Sequence, residues 1–234
     1  MKFHANYGEA EALQLKAALL LYGGSKGISF ASVHEPLKDQ CGAPYLDAGR
    51  PVTMEFLRTL AQQLGLGLRA EILPPEVLVR TPERTVWWVP AATRIMFFDA
   101  NRDGKTLSGK SYPHPTLVFS IDGHHQLAVR ALLANERPGR NTQIAIAPYW
   151  NTSADGSVCL DSMPVPQSAG FDALASWVEG FFNSEFSHSN TARLTSHPEG
   201  HLGLWRDLAG KDFFPTEWLS RAGTLEQWDA ATTE

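Results

Sequence analysis

Residues 116–132 read Thr-Leu-Val-Phe-Ser-Ile-Asp-Gly-His-His-Gln-Leu-Ala-Val-Arg-Ala-Leu, a pattern typical of a β-hairpin. Apolar side chains occupy every second position on both arms, as on the buried face of a sheet: Leu117, Phe119, Ile121, Leu127, Val129 and Ala131. Asp122-Gly123 between the arms is a tight-turn signal. The hairpin therefore predicts an antiparallel sheet at the centre of the chain.

Further strands are predicted on both sides of this hairpin. They span Val77–Arg80, Thr85–Val89, Thr93–Phe98 and Gln143–Ala147. Because short connections follow one another, we expect a sequential antiparallel meander of four to five strands. A helix at about 169–183 carries Leu174 and Phe181 on one apolar face, which should lie across the sheet. The predicted fold class is α+β.

The N-terminal residues predict a separate β-containing extension. Residues 13–21 and 28–33 indicate two strands joined by a glycine-rich turn, and a loop rich in Gly and Pro follows to Pro51. Thr53 then caps a helix whose apolar positions lie on one face. We expect residues 1–70 to form this extension of two strands and a helix, and residues 71–234 to form the main domain.

Composition excludes several classes of protein. The chain has 234 residues, of which 43% are hydrophobic, and a formal net charge of −5 without a clustered basic surface. We therefore expect a folded protein that does not bind nucleic acid. No run approaches the ~18–20 apolar residues of a membrane span, and the first residues lead into no signal core. A cytoplasmic protein with no membrane association is expected, and two cysteines are too few for a disulfide framework.

Three patterns suggest bound ligands, but each lacks the neighbouring residues that such a site requires. Residues 104–111 match a phosphate loop, but Pro113 and Pro115 block the helix that such a loop must open into. Residues 99–110 begin like a calcium loop, yet Lys110 stands where a bidentate Glu is required. His197 and His201 offer two zinc ligands without a supporting Cys or His pair. The sequence therefore predicts a polar hairpin loop, no cofactor and no metal.

Residues 148–161 contain the strongest candidate site. They read Pro-Tyr-Trp-Asn-Thr-Ser-Ala-Asp-Gly-Ser-Val-Cys-Leu-Asp. Cys159 follows an Asp-Gly turn and precedes two prolines, so its thiol should lie in irregular backbone near the surface, where a thiolate can react. Asn151, eight residues upstream, carries an amide donor for the loop backbone or for a developing oxyanion.

This loop resembles the active-site loop of ubiquitin-conjugating enzymes. In that family His-Pro-Asn is followed, eight residues after the Asn, by the catalytic Cys in Gly-x-[Ile/Val]-Cys-Leu, and the matching positions are Asn151, Gly156, Val158, Cys159 and Leu160. Tyr149-Trp150 replace the His-Pro. Further stretches resemble the PRTRC system protein B family, a bacterial ubiquitin-conjugating-enzyme-like family of mobile elements: Tyr112–Pro115, Arg137-Pro138, Ala147–Tyr149 and Phe181–His188. The resemblance spans roughly Thr53 to Leu219.

The resemblance implies a cysteine transferase with a conjugating-enzyme fold. Cys159 would receive a ubiquitin-like protein from a ThiF-like adenylating enzyme, carry it as a thioester and pass it to an acceptor. Asn151 would steady the oxyanion, and Asp161 or His188 would help to deprotonate the acceptor. The alternatives are a non-catalytic module that binds the ubiquitin-like partner in an assembly, and a hydrolase that pairs Cys159 with His188 or His201.

Overall fold

The computed structural model describes residues 14–25, 27–64, 72–99, 104–168, 170–189, 191 and 194–231. These residues fall into two compact units, one within residues 1–71 and the other within residues 72–234. Residues 65–71, where sequence reasoning puts the boundary, lie outside the described part, as do Leu13 of the first predicted strand and Ala169 at the start of the predicted helix.

The first unit is built on a β-hairpin. Its described elements are β1 (Ala18–Gly24), β2 (Gly27–His34), β3 (Pro36–Lys38), β4 (Pro44–Leu46), β5 (Arg50–Pro51) and α1 (Met54–Gln63). β1 and β2 pair antiparallel, and β5 joins the free side of β2. Thr53 caps the N-terminus of helix α1, and its Oγ1 accepts a hydrogen bond from the Phe56 N–H. The two strands and the helix are present, whereas β3, β4 and β5 lie in the stretch that was predicted to be loop.

The second unit contains a six-stranded antiparallel sheet in the order β14-β12-β11-β10-β7-β6. The elements of this unit are β6 (Val77–Arg80), β7 (Arg84–Val89), β8 (Ala92–Phe98), β9 (Lys110–His114), β10 (Leu117–Asp122), β11 (Leu127–Leu132), β12 (Gln143–Ile146), α2 (Leu174–Asn183), β13 (Glu185–Phe186), α3 (Gly200–Leu208), β14 (Arg221–Thr224) and α4 (Leu225–Ala231). The α+β class and the antiparallel sheet are confirmed.

The central hairpin pairs as its alternation predicts. Ile121 lies opposite Leu127 and Leu117 lies opposite Ala131. The Asp122 carboxylate holds the turn by accepting hydrogen bonds from the backbone N–H groups of His124 and Gln126. All six alternating side chains are buried. Local periodicity therefore determined this part of the sheet.

The sequential order predicted for the meander is wrong at one point. Strand β8 is present, but it pairs with β9 rather than joining the main sheet, so β7 lies directly beside β10. Pro90 stands where this β8–β9 ribbon leaves β7, and Pro115 stands where it returns to β10. Proline has no N–H to donate, so neither position can supply a ladder hydrogen bond from its own backbone nitrogen.

Helix α2 covers one face of the sheet, as expected from its apolar positions. Leu174 and Phe181 are buried, which confirms the orientation predicted for this helix. The apolar cluster on this side also contains Trp87, Phe119 and Trp205. A smaller cluster on the other face includes Val118 together with Leu225 and Trp228 of α4. The sheet therefore has apolar packing on both faces.

The phosphate-loop pattern lies in the loop of the β8–β9 hairpin. Residues 104–109 form turns, and Lys110 begins a strand rather than a helix. Helix N-terminal amides that would hold a phosphate are therefore absent from this described segment, and the predicted polar hairpin loop is confirmed there. Residues 100–103 of the calcium-loop pattern lie outside the described part. No helix in the described ranges is both long enough and apolar enough to span a bilayer.

Candidate functional site

The candidate site is the loop formed by residues 147–155, called the excursion below. It lies between two segments that both pair with β11. β12 ends at Ile146, which lies opposite Arg130 of β11. After the excursion the chain returns to β11, where the Val129 N–H donates to Gly156 O at 2.8 Å and the Val158 N–H donates to Leu127 O at 2.9 Å. Cys159 follows immediately. The excursion is therefore closed at its base by backbone hydrogen bonds.

Tyr149 anchors the excursion in the apolar core. Its ring is fully buried, and its hydroxyl lies 2.9 Å from Nδ1 of His114 on β9. Burial raises the pKa of Tyr149 well above its ordinary value, and burial lowers the pKa of His114 from 6.5 to about 3. Both groups are therefore neutral near pH 7. Their hydrogen bond ties the excursion to the β8–β9 ribbon.

Trp150 is the second aromatic anchor. Its ring stacks on the imidazole of His201 with 4.9 Å between the centroids. His201 Nε2 lies 3.0 Å from Pro148 O and 2.9 Å from Trp205 Nε1, so one ring nitrogen faces an acceptor and a donor. Burial lowers the pKa of His201 to about 3. The two residues that replace the His-Pro of conjugating enzymes thus hold the loop by packing.

Asn151 lies at the centre of the hydrogen bonds in the site. It is buried, and its φ of +60° puts it in the left-handed region, which Asn adopts more readily than most residues. Its Nδ2 donates to Glu185 O at 2.8 Å, while its Oδ1 accepts from the Ser187 N–H and hydroxyl, both at 3.1 Å. Its backbone N–H donates to His188 O at 2.8 Å. Asn151 therefore fastens residues 185–188 to the excursion.

Cys159 is held by the same residue. Its backbone N–H donates to Asn151 O at 2.7 Å, and its side chain is partly exposed. The thiol makes no hydrogen bond to any described residue. Asp161, two residues later, is exposed. The backbone of Cys159 is thus fixed while its Sγ remains available for reaction.

His188 reaches the site through its neighbour Ser187. The Ser187 hydroxyl lies 2.8 Å from His188 Nδ1 and 3.1 Å from Asn151 Oδ1. A hydroxyl has one proton to donate. If that proton goes to Asn151, His188 must carry its proton on Nδ1 and donate to Ser187, which leaves Nε2 free to accept a proton. The His188 side chain is exposed.

The structure brings Asn151, Cys159 and His188 together through backbone hydrogen bonds, whereas Asp161 is exposed and no hydrogen bond joins it to these three described residues. Sequence reasoning missed Ser187, and it treated Tyr149 and Trp150 as departures from a motif rather than as anchors. The aromatic character of that pair was the available signal, because buried aromatic residues dominate cores. Nothing local to Ser187 indicates its partner Asn151, which is 36 residues away.

The histidines considered for zinc have other contacts. His197 Nε2 lies 3.2 Å from Asp207 Oδ2, and its ring packs edge-on against Trp218. His201 is engaged by Pro148 and Trp205. Across the described ranges, no group of three or more His, Cys, Asp or Glu side chains is arranged to hold a metal ion.

Comparison with known proteins gave one family match. The family model described as prokaryotic E2 family D matches residues 53–222. The match begins at the N-cap of α1 and ends within β14, so it contains the whole excursion and lies outside α4. No curated protein and no solved structure matched the chain.

Proposed function

Because the chain belongs to prokaryotic E2 family D, we propose that Cys159 carries the acyl group of a ubiquitin-like protein as a thioester. E2 proteins are ubiquitin-conjugating enzymes, so family membership confirms the resemblance to a bacterial conjugating-enzyme-like family. The observation that carries the proposal is the arrangement of Cys159, a partly exposed thiol on a backbone fixed by Asn151. Such a thiol can act as nucleophile and as leaving group without a buried triad.

The proposed reaction has two balanced steps. In the first, Cys159 loses its proton to solvent, and its Sγ attacks the carbonyl carbon of a thioester on the adenylating enzyme. The tetrahedral oxyanion collapses, the enzyme's thiolate leaves, and the acyl group is now bonded to Sγ. In the second, an acceptor amine attacks the same carbon, the Cys159 thiolate leaves, and the amine nitrogen gives up a proton as the amide forms.

Asn151, His188 and Asp161 are proposed to act in the second step. Only one hydrogen of Asn151 Nδ2 is used, by Glu185 O, and the other has no partner among the described residues. That N–H is the proposed donor to the oxyanion. His188 would take the amine's proton at Nε2, with Ser187 setting its tautomer, and Asp161 is the alternative acceptor.

The partners are proposed from the chemistry that the thiol needs. Acyl transfer to Cys159 requires an activated C-terminus, which a ThiF-like adenylating enzyme would supply with ATP to a ubiquitin-like protein. We propose that the adenylating enzyme, the ubiquitin-like protein and this chain are encoded together in a PRTRC-type cassette of a bacterial mobile element. The three proteins would act in the cytoplasm. The acceptor class is an amine, because a thioester reacts readily with amines.

A non-catalytic module that binds the ubiquitin-like partner is the second candidate. It is favoured by the Asn151 side chain, whose Oδ1 and one amide hydrogen are already used to hold residues 185–188. A Cys–His hydrolase has less support. Such an enzyme needs an imidazole bonded to its thiol, and no described histidine makes a hydrogen bond to Cys159 Sγ.

The proposal is tested by charging the purified chain. We expect the full chain, incubated with a ubiquitin-like protein, a ThiF-like adenylating enzyme and ATP, to form an adduct that an excess of a small thiol releases by acyl exchange. Cys159→Ser should give an ester that resists the thiol or no adduct, because an alkoxide is harder to form than a thiolate. Cys41→Ser, at an exposed position of the first unit, is the matched control and should charge normally. Normal charging of Cys159→Ala would rule out the thioester.

A further inference from the structure

A buried cation on β11 contacts the candidate site at the turn that precedes Cys159. Arg130 of β11 is only 6% exposed, opposite Val118 and Ile146. Burying a guanidinium costs several kcal/mol unless hydrogen bonds compensate for the lost water, and an apolar side chain in its place is often more stable. Burial also lowers the pKa of Arg130 from its ordinary value. This position therefore needs an explanation other than stability.

The guanidinium is directed at the turn that precedes Cys159. Its Nη1 donates to Ala154 O at 2.6 Å, and the Asp155 carboxylate is close enough to raise the pKa of Arg130 against the effect of burial. Its Cζ lies 5.8 Å from the centroid of the Trp228 ring, a cation–π arrangement. Arg130 Nε has no partner in the described part of the chain.

Trp228 of α4 holds the next residue of the same turn. Its Nε1 donates to Asp155 O at 3.1 Å. Helix α4 is itself fastened to the sheet, because Arg84 forms an ion pair with Asp229 and the Leu225 N–H donates to Thr142 O at 3.0 Å. The backbone carbonyls of two successive residues, 154 and 155, thus accept hydrogen bonds from Arg130 and Trp228.

The turn has little room to move between these donors and Cys159. Gly156 has φ +98°, and a Cβ there would lie 3.0 Å from Val129 O and 3.1 Å from Arg130 Nε. Asp155 Oδ1 accepts hydrogen bonds from both the N–H and the hydroxyl of Ser157. Residues 156, 158 and 159 each make a backbone hydrogen bond. The turn is thus joined to Cys159 by a short segment in which most residues are hydrogen-bonded.

We propose that Arg130 and Trp228 are positioning residues for Cys159, acting through the Ala154–Gly156 turn. The acyl-transfer part of this inference rests on the proposed thioester function. The contact with α4 lies outside the family match, which ends at residue 222. The orientation of the thiol would thus depend on a helix that follows the matched region.

Trp228→Phe in the full chain separates positioning from packing. The phenyl ring still lies beside the guanidinium, but the donor to Asp155 O is lost. Trp218→Phe is the matched control, since it makes the same change at a partly buried tryptophan outside these contacts. Arg130→Met is a second variant that removes the cation and the donor to Ala154 O. All rates are measured far below the lowest melting temperature, so that folded proteins are compared.

Two readouts are used. The first is acyl transfer to Cys159 from a short peptide with a C-terminal thioester, where we expect Trp228→Phe to lower the maximal rate about tenfold without changing the half-saturating concentration. The second is alkylation of Cys159 by iodoacetamide in a Cys41→Ser background, which needs no partner. It should become roughly threefold faster, because a loosened turn exposes the thiol more often. Arg130→Met should behave like Trp228→Phe.

The outcomes distinguish the inference from the proposed function. If the parent protein takes up the acyl group and Trp228→Phe matches Trp218→Phe in both readouts, the positioning role is wrong. If the parent protein is never acylated, the thioester proposal fails, and alkylation alone decides the positioning role. An unchanged alkylation rate in both Trp228→Phe and Arg130→Met then overturns it.

Discussion

At the scale of single residues, Asn151 determines how the site is assembled. Its backbone carbonyl fixes Cys159, its backbone N–H binds His188 O, and its side chain holds residues 185–187. Its left-handed backbone adds a constraint that few side chains accept. One residue therefore combines a structural role, which the geometry displays, with the proposed role in binding an oxyanion.

Comparing Asn151→Gly with Asn151→Ala separates these contributions. Both variants lose the side-chain hydrogen bonds, which should lower the free energy of unfolding by about 1–3 kcal/mol because buried backbone groups lose partners. Asn151→Ala should lower the free energy of unfolding by about 1 kcal/mol more than Asn151→Gly does, since only Gly adopts the left-handed backbone freely. Denaturant unfolding measures both differences. A Gly variant as stable as the parent would contradict this account.

The same variants report on the oxyanion role. If the Asn151 amide stabilises the oxyanion formed when the amine attacks, and not the one formed during charging, Asn151→Gly should still charge but discharge onto free lysine about 10²-fold more slowly. Single-turnover assays of the two steps measure this. Equal losses in charging and discharge, together with lower stability, would assign Asn151 to holding the loop alone.

At the scale of elements, the contact between the β8–β9 ribbon and the excursion contributes to the dependence of stability on pH. His114 on β9 and Tyr149 in the excursion share a buried hydrogen bond. The pKa of His114 is about 3 in the folded protein and 6.5 when unperturbed. Between these values the unfolded chain binds a proton that the folded protein does not. The contribution of His114 to the free energy of unfolding is therefore fully present above about pH 6.5, and it is lost as the pH falls towards 3.

His114→Gln should flatten this pH dependence. A group of this kind contributes up to about 1.4 kcal/mol of stability per pH unit inside its window. His201, also with a pKa of about 3, gives a slope of the same sign that the variant retains. Urea unfolding at several values between pH 4 and 7 measures the slope, with the exposed turn variant His124→Gln as control. A slope identical to that of the parent would contradict the assignment.

At the scale of the whole molecule, the family match and the compact units set different boundaries. The match begins at Thr53, while the second compact unit begins at Ile72. Every buried side chain in the two apolar clusters lies at Val77 or beyond. In the described part of the first unit, Val33 is the one hydrophobic residue that is buried. The core that supports the site thus lies within the second unit.

A shortened chain that begins at Ile72 should therefore fold. We expect it to unfold cooperatively, with a melting temperature within about 4 °C of the corresponding transition of the full chain, because its core is complete. Calorimetry on the two proteins measures this. A chain that lacks a cooperative transition until residues 53–71 are restored would show that α1 is needed, as the family boundary implies.

The sequence by itself determined the features that depend on local side-chain spacing. Alternation predicted the β10–β11 hairpin, the helical period predicted the buried face of α2, and the spacing between Asn151 and Cys159 indicated the candidate site. Each is a pattern within one stretch of at most seventeen residues, where the geometry of a strand, helix or turn directly sets which side chains share a face.

Tertiary structure alone decided the contacts between distant segments. Examples are the departure of the β8–β9 ribbon, the pairing of β12 with β14, and the hydrogen bond from the Asn151 N–H to His188 O. All three depend on backbone groups, which every non-proline residue carries in the same form. Trp228 meets Asp155 across 73 positions. Backbone hydrogen bonds carry no mark of their distant partner in the sequence, so only the folded chain shows which segments they join.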